Sequence, residues 1–265
     1  MTRIEHVFKS AKRPLVVAFT VAGDPDPVTS VSIAKTIVAS GADIIEFGVP
    51  FSDPLADGPV IQRADVRSLH SGTNPESVFV IVSEVRKVTE VPIVLLTYYN
   101  IVYLRGIARF YQEAARAGVD GILIADMPIE ESDSAVLAAR NAGIDPIFMV
   151  SETTSEDRLG EILKHAGGFL YLVSRLGVTG ARKDLSPGIA SLIARVRRQT
   201  KLPIAVGFGI SSPEHVAALS AGGADAVIVG SAIVARIEEH LGNSAGMEEA
   251  IREYIGSLCN AAGSG

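Results

Sequence analysis

Tryptophan is absent from the chain, and cysteine occurs once, at Cys259. One thiol cannot close an intramolecular disulfide, so a reducing compartment fits and the fold must rest on its apolar core. Cys259 lies in SLCNAAGSG, which reads as the fraying end of a C-terminal helix. No cation stands near it in sequence to turn it into a nucleophile. The N-terminal stretch MTRIEHVFKSAKRP lacks a signal-peptide core, and no apolar run is long enough to span a bilayer. A soluble cytoplasmic protein is therefore expected. Charged residues make up 20% of the chain and the net charge is −6. That argues against a broad nucleic-acid or membrane surface but leaves room for a local anion pocket. None of the lysines (9, 12, 35, 87, 164, 183 and 201) falls in a predicted strand, whereas a Schiff-base aldolase needs one inside its barrel. The histidines at 6, 70, 165, 215 and 240 are scattered without metal-ligand spacing, so no metal is expected.

What the chain does have is apolar substance: 48% of its 265 residues are hydrophobic. Eight short runs recur: LVVAFTVA (15–22), DIIEFGVP (43–50), IVLLTYY (93–99), GILIADMP (121–128), DPIFMVS (145–151), FLYLVS (169–174), IAVGFG (204–209) and AVIVGSA (226–232). Most are continuous in apolar residues, the mark of parallel strands buried on both faces. Helix-period segments separate them at 28–40, 75–88, 107–117, 132–142, 155–166, 189–200 and 213–222. The junctions SGAD, AGVD, AGID and GGAD each place a glycine where a helix should stop, and EVPIV and KLPIA use proline instead. The alternation predicts an α/β fold, a (β/α)₈ TIM barrel forming one domain over residues 1–265. Residues 2–12 would form a helix over the bottom of the barrel, and the C-terminal tail would fray. An open doubly wound sheet is the alternative, but no GxGxxG opens the first unit.

In a barrel the chemistry lies at the C-terminal ends of the strands. Glu46 stands inside the second run, where a charge is costly. It reads either as a structural ion-pair partner or as an acid–base group with a raised pKa. Asp57, in the proline-stiffened loop PFSDPLADGP (50–59), reads as its partner in a different environment. GFGIS (207–211) and GSA (230–232) follow the last two strands, where barrels often bind phosphate through backbone N–H groups. GVTGARKDLSPG (177–188) reads as a lid, with Arg182 and Lys183 as possible anion contacts. The sum is proton-transfer chemistry on a small phosphorylated molecule.

EFGVPFSDPLADGPVIQ (46–62), YLVSRLGVTG (171–180), GFGIS and GSAIV (230–234), with GDPDP (23–27), TYYN (97–100) and DMP (126–128), closely resemble the tryptophan synthase alpha subunit family over nearly the whole chain. Ile101, Ala125 and Glu152 depart from prolines common there. The resemblance implies retro-aldol cleavage of indole-3-glycerol phosphate to indole and glyceraldehyde 3-phosphate. Glu46 would be the acid–base residue and Asp57 would hold the indole N–H. Phe19, Leu96 and Tyr98 would line the indole pocket, Tyr171 and Thr179 would lie near the substrate and the lid, and Thr179 would bond Asp57 on lid closure. Gly180, Gly207, Gly209, Gly230 and Ser231 would surround the phosphate. It also implies no cofactor in this chain and a beta-subunit partner carrying pyridoxal phosphate, assembled as α2β2. Asp53, Asn100, Met127 and Pro128 would form the docking rim. Two rival readings are another phosphate-binding barrel isomerase and a noncatalytic regulator of a beta subunit.

Overall fold

The computed structural model describes residues 1–173, 187–207 and 209–263. The eight apolar runs become β1 (Leu15–Val21), β2 (Ile44–Gly48), β3 (Ile93–Thr97), β4 (Gly121–Ile124), β5 (Asp145–Ser151), β6 (Leu170–Val173), β7 (Ile204–Gly207) and β8 (Ala226–Val229). They pair in parallel, in chain order, and β8 closes on β1. Several strands stop short of the apolar run because its last residues turn outward: Tyr99 already opens a helix, and so does Ser231.

The anticipated helices are α1 (Arg3–Ser10), α2 (Pro27–Ala39), α4 (Pro75–Arg86), α6 (Ile107–Ala117), α7 (Asp133–Ala142), α8 (Glu156–His165), α9 (Pro187–Arg197) and α10 (Pro213–Ala221). Further helices are α3 (Pro59–His70), α5 (Tyr99–Arg105) and α11 (Ser231–Glu239). The last, α12 (Ser244–Ala262), runs almost to the end of the described chain, with Leu258 and Ala262 buried. Helix α1 closes the bottom of the barrel. Thr2 and Glu5 form a reciprocal cap, Ile4 is fully buried, and the Phe8 ring meets Phe169 at 5.8 Å.

Alternation along each strand divides the apolar side chains between two cores. On β2, Ile45 and Phe47 face the helices, whereas Ile44 joins Phe19, Val94, Leu96 and Tyr171 inside the barrel. By the same alternation Glu46 points inward, in register with Phe19 on β1 and Val94 on β3.

The repeated junctions act through both their glycine and their aspartate. Gly118 and Gly143 cap α6 and α7 in the left-handed conformation, as their positions before VD and ID require. The aspartate then latches its strand to the one before. Asp43 accepts the Val16 N–H at 2.8 Å, Asp120 that of Ile93 at 2.8 Å, and Asp225 that of Ile204 at 2.7 Å. Each also pairs with an arginine: Arg13, Arg86 and Arg197 in turn. Asp145, the fourth, accepts from Thr2 Oγ1 at 2.8 Å and ties down α1.

Asp120 is the most buried of the three arginine-paired latches. Its loss would leave the half-buried Arg86 without its carboxylate and orphan the Ile93 N–H. Asp120→Ala is expected to cost about 3–5 kcal/mol, as for other broken buried pairs. Urea unfolding measures it, and a loss below about 1 kcal/mol would contradict the latch.

Candidate active site

Strand β2 delivers Glu46 to the barrel interior with no exposed surface. Among the described residues neither of its carboxylate oxygens has a hydrogen-bond partner and no cation pairs with it. Burial, with the negative charge of Asp57 as a second cause, raises its pKa to about 8. The reading of Glu46 as a structural ion-pair partner is not supported by this geometry.

Asp57 reaches the same space from the loop between β2 and α3. That loop folds on itself: the Asp57 N–H donates to the Pro54 carbonyl at 3.0 Å, and Gln62 Nε2 donates to the Asp57 carbonyl at 2.9 Å. Burial raises the Asp57 pKa, and a hydrogen bond from Tyr98 opposes the rise. The Tyr98 hydroxyl donates to Asp57 Oδ2 at 2.6 Å and accepts the Ala56 N–H at 3.2 Å. Phe51, at the start of the loop, stacks on the Tyr98 ring at 4.9 Å. Tyr98 was expected only as pocket wall; its hydroxyl also holds the second carboxylate. That pairing spans 41 positions of sequence, and no local pattern announces it.

Tyr171 on β6 is buried, and its pKa is raised by burial and by the charges of Glu46 and Asp57. All three therefore face one space, with Phe19 and Leu96 in the same interior cluster. Gly207 leaves room for Tyr171: a Cβ there would lie 2.7 Å from the ring. Gly230 likewise makes way for Phe19, at 3.0 Å. Gly230 immediately precedes α11, and Ser231 is the first, exposed residue of that helix. Gly209 has φ +70° and open space where a side chain would stand. Thr179 and Gly180, with Arg182 and Lys183 of the expected lid, lie outside the described residues.

The proposed docking residues lie on the rim. Asp53 is exposed in the Asp57 loop, beside Leu55, which is 94% exposed. The Tyr99 N–H donates to Asp126 Oδ1 at 2.7 Å, tying together the segments that carry Asn100 and Met127–Pro128. A cavity of about 950 Å³ lies at the opposite end of the barrel, lined by Phe8, Lys12, Arg13, Asp145 and Lys201 among others. It is far from Glu46 and holds the structural latches, so the chemistry is assigned to the mouth.

Sequence reasoning missed helix α3 and what it carries. Its inner face holds Ile61, Ala64, Asp65 and Ser68. Two polar residues interrupt the apolar stripe, so the helical period is weak there. From this helix Arg67 binds both oxygens of the buried Asp24, at 2.7 and 2.9 Å, and also reaches Glu238 on α11. Among the described residues no cluster of histidine, cysteine or acidic side chains could hold a metal ion. No described helix is long and apolar enough to cross a membrane.

Comparisons with known proteins agree with this arrangement. The family model for the tryptophan synthase alpha chain matches residues 6–262. The alpha chain of Methanoregula boonei is 58% identical over 262 residues, covering 99% of each chain. That of Methanothermobacter thermautotrophicus is 49% identical over 259 residues, covering 98% of this chain and 96% of the relative. Among solved structures, the alpha subunit from Legionella pneumophila superposes with a TM-score of 0.91 at 36% identity, covering 99% of both chains. The tryptophan synthase α2β2 complex from the hyperthermophile Pyrococcus furiosus includes a chain that superposes with a TM-score of 0.88 at 37% identity, over 94% of this chain and 99% of that one. With a matching family model over nearly its whole length and a buried Glu46 whose pKa the nearby Asp57 helps to raise, the chain belongs to the tryptophan synthase alpha chain family.

Proposed function

We propose that Glu46 and Asp57 carry the cleavage of indole-3-glycerol phosphate to indole and glyceraldehyde 3-phosphate, the alpha chain's step in tryptophan biosynthesis. The observation that carries this assignment is Glu46: a fully buried carboxyl with a pKa near 8 and no partner among the described residues, its pKa raised in part by a second carboxyl, Asp57. Membership of the family leaves neither the isomerase nor the regulator reading favoured.

At neutral pH Glu46 enters the reaction protonated. It gives its proton to indole C3, and the ring becomes a cation with its charge largely at the N–H. Asp57, held by Tyr98, would accept that N–H and stabilise the charge. Glu46, now a carboxylate, takes the proton of the carbinol hydroxyl. The C–C bond breaks, its electrons restore the aromatic ring, and the carbinol carbon becomes the aldehyde. One proton has been given and one taken, so Glu46 ends as it began. The protonated ring is the electron sink, so no lysine imine is needed. Phe19, Leu96 and Tyr171 would enclose the indole. The N-terminus of α11 at Gly230 and Ser231, with Gly207 and Gly209, would receive the phosphate through backbone N–H groups. Gly180 and Thr179 are assigned to the lid side of the same site.

The indole passes to the beta subunit of the complex, which carries the pyridoxal phosphate; the alpha chain needs no cofactor. We place the reaction in the cytoplasm, in line with the single cysteine. We assign docking to the rim of Asp53, Asn100, Met127 and Pro128. Asp53 and Asp57 share one loop, so a partner gripping the first orders the second. Asp53→Ala is expected to reduce activation by the beta subunit more than it reduces isolated activity. Coupling between linked sites typically amounts to about 5–150-fold in affinity. Indole release from indole-3-glycerol phosphate, measured for both proteins during titration with beta subunit, tests the function and the rim together. No indole from the wild type would refute the first. Equal binding and activation of both proteins would refute the second.

A further inference from the structure

GDPDP (23–27) is a motif for which the mechanism has no use, yet its first aspartate has no exposed surface. Asp24 stands in the loop after β1, and α3 grips that loop. Arg67 Nε and Nη2 donate to the two Asp24 oxygens at 2.7 and 2.9 Å. Ser68 Oγ donates to the Ala22 carbonyl at 2.6 Å, and Ser71 Oγ to the Gly23 carbonyl at 3.3 Å. Gly23 lies so close to the segment after α3 that a Cβ there would meet Thr73 Oγ1 at 2.1 Å. Loop and helix are joined at each of these residues.

The third nitrogen of Arg67 serves a different element. Its Nη1 donates to Glu238 Oε1 on α11 at 2.9 Å. The i, i+4 spacing puts Arg63 on the same face of α3. Its Nε and Nη2 donate to Oε1 and Oε2 of the same carboxylate, both at 2.7 Å. Beside this polar joint, Ile61 and Ala64 of α3 and Val234 of α11 are buried in the cluster that holds Phe19 and Tyr171. Such apolar contact is non-directional, whereas a forked guanidinium on a carboxylate fixes direction as well as distance.

The two ends of the substrate site hang on these two helices. Helix α3 begins at Pro59, directly after the Asp57 loop, and Gln62 in its first turn holds the Asp57 carbonyl at 2.9 Å. Helix α11 begins at Ser231, beside Gly230, where the phosphate is assigned. Glu238 lies about two turns further along α11, roughly 10 Å from Ser231. We propose that Arg67 and Glu238 are positioning residues. Their ion pair sets α11 against α3, and so fixes the separation between Asp57, which meets the indole, and the backbone N–H groups that receive the phosphate. A substrate of fixed length must reach both while its indole C3 falls on Glu46. The proposal rests on the phosphate lying at Gly230 and Ser231, as argued above.

Arg67→Met would strand the buried Asp24 and risks unfolding the chain, so the test acts on Glu238, which is partly exposed. Glu238→Ala removes both arginine contacts and leaves Arg67 on Asp24. Glu238→Gln keeps an oxygen at Oε1, the atom that accepts from both arginines. Indole release gives kcat and KM, and calorimetry gives the affinity for glycerol phosphate. Amide NMR shifts at residues 230–232 locate that probe, and thermal melting checks folding. Glu238→Ala is expected to bind glycerol phosphate within about twofold of wild type, because the probe occupies one end only. Its kcat should fall by about 10–100-fold, the scale of a displacement of about 1 Å. Glu238→Gln should restore kcat to within about threefold of wild type. A lower melting temperature with unchanged kcat in Glu238→Ala would make the pair purely structural and overturn the proposal. So would a Glu238→Gln variant as impaired as Glu238→Ala, or a loss of glycerol phosphate affinity as large as the loss of rate. Wild-type amides at 230–232 that do not respond to bound glycerol phosphate would instead refute the phosphate assignment on which the proposal rests.

Discussion

Glu46→Gln is expected to lower indole release by about 10²–10⁴-fold, the usual contribution of a positioned acid–base group, while making the fold more stable. Both effects come from one cause. The amide has nearly the shape of the protonated acid, so Phe19, Val94 and Ile44 keep their places, but it cannot cycle a proton. In the unfolded chain the Glu46 carboxyl ionises near its ordinary pKa of 4.5, and in the folded chain near 8. Between these values the folded state binds the extra proton, so the wild type loses stability as pH rises. The loss begins near 4.5 and is complete just above 8. Glu46→Gln removes it and should gain up to roughly 5 kcal/mol relative to wild type at pH 9. Chemical denaturation of both proteins at pH 5, 7 and 9 measures the difference. A gap that stays constant over this range would mean that Glu46 ionises normally. Natural sites commonly trade stability for activity in this way.

Asp57→Asn is expected to lower kcat by about 10²–10³-fold, the scale of removing one electrostatic stabiliser of a developing charge, with a smaller effect on KM. The amide can still accept from Tyr98, so the loop should stay in place. What it lacks is the negative charge to set against the protonated indole ring. A second consequence distinguishes this role from general disruption. Asp57 helps to raise the pKa of Glu46, so the variant should shift the titration of Glu46 downward. An unshifted titration together with a large loss of rate would mean that the two carboxyls do not share one space.

The barrel was legible because its strands are buried on both faces, which leaves eight apolar runs that nothing else explains. Glu46 was legible for the complementary reason: a charge within such a run is an exception that calls for a cause. Helix α3 was not, because Asp65 and Ser68 stand on its inner face and break the stripe that marks a helix. The aspartates of the GAD, GVD and GID junctions were in view, but only their glycines were interpreted. Their bonds run to the preceding strand, and the register of a barrel is not written in any local pattern. The same limit applies to Tyr98 and Asp57, which meet only after the loop has folded back over β3. Among the described residues the Tyr98 hydroxyl bonds the Asp57 carboxyl; the bond expected from Thr179 on lid closure lies outside those residues.

The central claim is that burial keeps Glu46 protonated at neutral pH. Carbon-13 NMR of the glutamate side-chain carboxyls tests it most directly, with the Glu46 signal assigned by its absence in Glu46→Gln. A titration midpoint near 8 is the expected result, and a midpoint below about 5.5, within the ordinary range of glutamates, would contradict the account.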